Sequence, residues 1–93
     1  MNQNDVITLK LVTGEEIIGR LQEKNADSVK ISKPVQIVAS QKGIGFAPLC
    51  ISIDDASIFS FLQIHILFMA ITRKELEEAY VKATTGIQLA TAL

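Results

Sequence analysis

The stretch Leu11-Val12-Thr13-Gly14-Glu15-Glu16-Ile17-Ile18-Gly19-Arg20-Leu21 places two glycines five residues apart in an otherwise strand-like pattern. Just upstream, residues 6–12 (VITLKLV) put Ile7, Leu9 and Leu11 on one face and Thr8 and Lys10 on the other, the period of a half-buried strand. Thr13-Gly14-Glu15-Glu16 then reads as the turn of a hairpin, where Gly14 supplies the positive φ that such turns demand. Beyond the turn, Ile17, Gly19 and Leu21 share a face opposite Ile18 and Arg20. Gly19 therefore sits within a strand, and a missing side chain there weakens the strand unless it bends sharply or another backbone comes close.

Outward from this hairpin the chain continues in strands. Lys24-Asn25-Ala26-Asp27 is a second polar turn, after which Val29, Ile31, Val35 and Ile37 keep one parity and Ser28, Lys30, Ser32 and Gln36 the other. Pro34 lies inside this long third strand and cannot donate to a ladder, which predicts a bulge or bend. Ser40-Gln41-Lys42-Gly43 closes the next turn. A fourth strand is expected from Ile44 through Ile53, irregular at Gly45 and Pro48, interrupted at Asp54-Asp55-Ala56-Ser57 and resumed over 58–61. The apolar run ILFMAI at 66–71 suits a strand covered on both faces, with a helix as the alternative.

From Thr72 the period changes. Thr72-Arg73-Lys74-Glu75 has the spacing of a capping box, Leu76, Ala79, Tyr80 and Ala83 recur at helical intervals, and Glu78 and Lys82 form an i,i+4 pair. A helix over about 72–84 is expected, with Gly86 placed to stop it, followed by the apolar tail IQLATAL.

Composition narrows the function classes. The 93 residues suit one domain, and a 48% hydrophobic content with 20% charged residues and a mean hydropathy of +0.32 is apolar for a small soluble monomer, which implies a partner-covered surface. The net charge is −1, from nine Lys or Arg against ten Asp or Glu, so no global positive field attracts a polyanion. Residues 43–71 hold no Lys or Arg at all. The single cysteine, Cys50, lies between Leu49 and Ile51, reads as a buried inert thiol, and is consistent with a reducing compartment. MNQNDVITLK lacks the basic and apolar regions of a signal peptide. The most apolar window, 58–71, is shorter than the roughly 20 residues of a membrane span. A cytoplasmic location without membrane association is expected.

The pattern Leu11-x-x-Gly14-x-x-Ile17-x-Gly19-x-Leu21 resembles the first half of the Sm1 motif of the Sm and Sm-like family. The polar turn at 24–27, the long third strand and the short last strand preceded by Leu62-Gln63-Ile64-His65 extend the resemblance over about residues 6–71. It implies a mainly β fold, a strongly bent five-stranded antiparallel open barrel, here with a C-terminal helix, in one domain spanning 1–93. In that family the second strand bends so that the sheet can wrap, which gives Gly19 a mechanical reason. The helix lies at the opposite end from a typical member, but Lys74-Glu75-Leu76-Glu77-Glu78-Ala79-Tyr80 followed by Thr84-Thr85-Gly86-Ile87 is similar to small Sm-like proteins of tailed phages; a phage-encoded chain would act in the host cytoplasm. The resemblance further implies a homo-oligomeric ring of roughly five to seven subunits, the fourth strand of one pairing with the fifth of the next.

Family members often hold single-stranded RNA in the pore through the loops after the second and fourth strands, by stacking and by hydrogen bonds to base edges. The positions this maps to are Asn25 and Asp27 in the first loop and Gln63 and His65 in the second. The match is partial. Asn25 stands where the family usually has Asp, Ser28-Val29 replaces the usual Met-Asn or aromatic-containing pair, and no Arg-Gly or Lys-His signature follows. Asn25 and Asp27 also suit plain turn roles, and His65 suits a hydrogen-bonded strand start. Arg20, Lys24, Lys30, Lys33 and Lys42 would form a positive face when repeated around a ring, or serve as solvated edge protection.

Catalysis has little to draw on. No metal-spaced His/Cys cluster, phosphate-cradling glycine loop or nucleophile elbow occurs, and Asp54-Asp55, as successive residues, make a poor paired-carboxylate site. No enzyme, cofactor or metal is expected. Two readings stand: a ring that binds or remodels single-stranded RNA, and a ring-shaped structural adaptor that binds protein through the helix and tail.

Overall fold

A computed structural model describes residues 1–50, 52–54 and 57–92, with residues 86–92 described by their backbone alone. The strands are β1 (Val6–Leu11), β2 (Glu16–Lys24), β3 (Ser28–Ser40), β4 (Gly43–Pro48), β5 (Ile58–Leu62) and β6 (Ile66–Ile71), followed by the helix α1 (Lys74–Ala92). They form one antiparallel sheet in the order β4-β3-β2-β1-β6, with β5 also paired to β3. The fold is thus mainly β with a single C-terminal helix.

The hairpin forms as its sequence requires. Gly14 adopts φ +105°, the Gly14 amide donates to the Leu11 carbonyl at 2.9 Å, and the Thr13 hydroxyl donates to the Glu15 carboxylate, holding that carboxyl below its usual range. Register pairs run from Val6↔Arg20 to Lys10↔Glu16. The expected parities of β1 and β2 also hold: Ile7, Leu9, Ile17 and Leu21 are buried in one cluster, whereas Ile18 and Val6 are buried in another on the opposite face. A strand buried on both faces is the central wall of this molecule.

Pro34 marks a bulge, and the bulge does more than bend the strand. Ile18 pairs with Val35 while Arg20 pairs with Ser32, so β3 carries one extra residue there, and Lys33 takes φ +49°. Residues that share parity in the sequence are thereby sent to different faces: Val29 and Ile31 enter the cluster with Leu9 and Leu21, whereas Val35 and Ile37 pack with Ile18 and Tyr80. Gly19 sits opposite this bulge. A Cβ there would collide with Cγ2 of Ile31 and lie 3.1 Å from the Ser32 carbonyl oxygen and 3.2 Å from Cα of Pro34. The close approach is from the neighbouring strand β3.

The first cluster draws Leu11, Phe61, Ile66 and Met69 onto Ile7, Leu9, Ile17, Leu21, Val29 and Ile31. Ile7, Leu9, Ile17, Val29 and Ile31 are almost fully buried although the helix packs with the opposite cluster, so the sheet covers this face by curling on itself. The helix closes the other face over the bulged end of β3, with Tyr80 fully buried and set edge-on to Phe46 at a centroid distance of 6.4 Å.

Three expectations need correction. The fourth strand ends at Pro48 instead of reaching Ile53; its last register pair is Val35↔Pro48, immediately beside the bulge, so β3 turns away there and pairing resumes only at Ile58↔Ser32. β4 and β5 are two pieces of one interrupted strand, and the sheet has six strands for that reason. The capping box does not form: the buried Thr72 hydroxyl lies 2.9 Å from that of Thr8, and the Glu75 carboxylate meets Arg73 Nε at 3.4 Å. The helix runs through Gly86 to Ala92, since a single glycine in a helix costs only about 1 kcal/mol and no proline follows to end it. Ile51, Asp55, Ala56 and the side chains of the IQLATAL tail lie outside the described residues.

Candidate functional site at the loops and free edges

The two loops named by the sequence do come together. In the turn between β2 and β3, Oδ1 of Asn25 accepts the backbone amides of Asp27 and Ser28, both at 2.9 Å, and the Ser28 hydroxyl at 3.3 Å. This is an Asx-type turn, the geometry for which an asparagine side chain is suited. Gln63–His65 forms a short 3-10 turn between β5 and β6. Gln63 ties it to the first loop twice: its amide donates to the Asp27 carbonyl at 2.9 Å and its Nε2 to the Asn25 carbonyl at 3.0 Å. Asn25, Asp27 and Gln63 therefore form one composite surface.

His65 belongs to a different contact. Its carbonyl accepts the Val12 amide at 2.9 Å, joining the second turn to the tip of the β1–β2 hairpin, while the residue itself is exposed. The structure leaves Asn25 Oδ1 committed inside its own turn and Gln63 Nε2 committed to a carbonyl. Hydrogen-bonding capacity toward a base edge at this surface rests on Asp27, the remaining Asn25 amide hydrogen and the Gln63 amide oxygen and second N–H, with the exposed His65 beside it in the second turn. Nδ2 of Asn25 also lies 3.3 Å from the Glu23 carboxylate.

The five cations do not gather into one patch within the chain. Lys30 pairs with Glu23 at 3.9 Å near the composite surface, Arg20 Nη1 donates to the Asn4 carbonyl at 3.0 Å, Lys33 is in the bulge, Lys24 ends β2 opposite Val29, and Lys42 lies in the turn at the other end of β3. Among the described residues, no group of three or more His, Cys, Asp or Glu is placed to hold a metal ion, and no helix is long and apolar enough to cross a membrane. Cys50 is half-exposed instead of buried, because β4 has already ended; its Sγ lies 3.5 Å from the Ser52 hydroxyl, which pulls the thiol below its usual range.

The feature that residue-by-residue reading of the loops misses is the condition of the outer strands. Among the described residues, β6 pairs only with β1, and β5 only with β3. On β6, Leu67, Phe68 and Ile71 are 61, 59 and 55% exposed, and on β5, Ile58 and Leu62 are about half exposed. The signal was present in ILFMAI, whose lack of polar alternation predicts cover on both faces; in the single chain only Ile66 and Met69 turn inward. Leu67 is the extra residue of a bulge between Leu11↔Ile66 and Lys10↔Phe68.

No family model and no curated protein matches this chain.

Proposed function

We propose that the chain is an Sm-like subunit that closes into a homo-oligomeric ring of roughly five to seven copies, joining β5 of one subunit to β6 of the next, and that the ring presents its composite loops to single-stranded RNA. The observation that carries this reading is the pair of unpaired, apolar strand edges. An exposed edge with large apolar side chains is a template for another strand, and the two edges left free are the split fourth strand and the last strand, the two that the family resemblance pairs between subunits. A strand sequence that expects cover on both faces and has it on one is completed by a neighbour.

The RNA part of the proposal is supported by the juxtaposition of the loop at 25–28 with the turn at 63–65, both of which a ring would repeat around its centre. A second reading, a protein-binding adaptor ring without nucleic-acid function, is favoured by the internal commitment of Asn25 and Gln63 and by the absence of an aromatic stacking platform in these loops. No catalytic role is assigned in either case. Titrating U-rich and A-rich oligonucleotides into the assembled protein at two salt concentrations separates the readings. RNA binding weakens steeply as salt rises, because phosphate contacts release counterions; no binding even at low salt assigns the ring to the adaptor reading.

A further inference from the structure

Between α1 and the β3–β4 hairpin lies a cavity of about 580 Å³, within the range of about 300–1,000 Å³ typical of small-molecule sites. Val35, Phe46, Pro48, Leu49, Phe59 and Ala83 supply its apolar wall. We propose that this cavity is a binding site for an uncharged, predominantly apolar small molecule, a role independent of ring assembly.

The chemistry of the ligand follows from the polar groups around it. Tyr80 also borders the cavity, and its hydroxyl already donates to the Lys33 carbonyl at 2.7 Å. The Thr84 hydroxyl reaches the Tyr80 and Val81 carbonyls at 3.0 and 3.2 Å, and the Cys50 thiol faces Ser52. These groups ask for no partner from a guest, so a guest rich in polar atoms would leave its own unsatisfied, at a cost of about 1–3 kcal/mol each. Lys33 and Asp54 bring one charge of each sign to the wall, and Asp54 is engaged in an interaction of its own. Neither an anion nor a cation is selected. The frame is fixed rather than improvised: the bulge at Lys33–Pro34, the edge-to-face Phe46–Tyr80 pair and the Tyr80 hydrogen bond set the position of the helix against the hairpin.

The chain carries its own reporters, since Tyr80 is the single tyrosine, Cys50 the single cysteine, and tryptophan is absent. The test is a titration of the full chain with n-decanol, following Tyr80 emission and the rate at which a maleimide labels Cys50. A saturable emission change with matching protection of Cys50 is expected. Decanoate and decylammonium should bind about tenfold or more weakly, because each must give up the hydration of its charge at a mostly apolar wall, where the Lys33 or Asp54 charge of its own sign opposes the attraction of the other. Ala83→Phe, with its helix content verified by circular dichroism, should fill the space and abolish both signals; if that variant does not fold, protection of wild-type Cys50 by decanol but not by decanoate decides the matter. Absence of protection in the wild type, an Ala83→Phe protein that folds and binds decanol as before, or equal binding of the charged analogues would overturn the proposal.

Discussion

The Tyr80 hydroxyl donates to the backbone carbonyl of Lys33 across 2.7 Å, fastening the helix to the point where β3 bulges. The two residues are 47 positions apart, and each explains the other. Lys33 is held at φ +49°, a conformation that a lysine adopts only when its surroundings fix it, and Tyr80 is a fully buried phenol that requires an acceptor. Tyr80→Phe removes the part-buried hydrogen bond to the Lys33 carbonyl, so it should destabilise the fold by about 1–2 kcal/mol. Urea unfolding, read as a shift in midpoint at unchanged slope, checks this.

The same contact sets an alkaline limit on stability. Burial raises the Tyr80 pKa from its ordinary 10.0 to about 12, against a smaller opposing effect of Arg20. The folded state thus holds the phenolic proton more tightly than the unfolded chain, so the contribution is fully present below pH 10 and is lost as pH rises through about 12. Tyrosinate absorbance should appear late in an alkaline titration of the folded protein. Tyr80→Phe should flatten the dependence of stability on pH in that window.

Gly19 is fixed by the approach of β3, not by its own dihedral. Even Gly19→Ala would place a methyl against Ile31 and the Ser32–Pro34 backbone; overpacking of this kind typically costs about 1–3 kcal/mol. Gly19→Val should be worse and impair folding or assembly instead of RNA contact alone. Gly14→Ala acts differently: nothing crowds a Cβ there, but φ +105° is strained for any side chain. A thermal melt in which Gly19→Val matches the wild type would refute the close-packing explanation.

In the composite loop, turn-building and ligand contact separate by residue. Asn25→Ala deletes the acceptor for two backbone amides and should lower stability by about 1 kcal/mol, visible in urea unfolding. The exposed His65 has no such duty in the turn, so His65→Ala should leave stability unchanged while weakening oligonucleotide binding. Unaltered RNA affinity in His65→Ala would remove His65 from the proposed contact surface.

How far the sequence was legible depended on the range of the forces involved. The Gly14 turn, the parities of β1 and β2 and the disturbance at Pro34 are local, and periodicity with turn chemistry reveals them. The exchange of faces between Ile31 and Val35 is not local: nothing in Ser32-Lys33-Pro34 announces a positive φ at lysine, which is stabilised by a helix far along the chain. Thr72 looked like a cap because its partner Thr8 is 64 positions away. The composite surface shows both sides of this limit, since Asn25 reads correctly as a turn residue, whereas its link to Gln63 needed the fold.

Edge pairing also predicts the behaviour of one substitution. Phe68→Lys places a charge on the exposed face of β6, where the single chain has little to lose; a change of this kind on a surface is usually within about 0.5 kcal/mol. In the ring it would face an apolar neighbour without a partner charge. The variant should remain folded by circular dichroism and fail to assemble.

Light scattering on the size-fractionated wild-type chain at micromolar concentration bears most directly on the central claim. The account predicts one closed species with a mass about five to seven times that of the 10.2 kDa chain. A monodisperse 10.2 kDa monomer would contradict it.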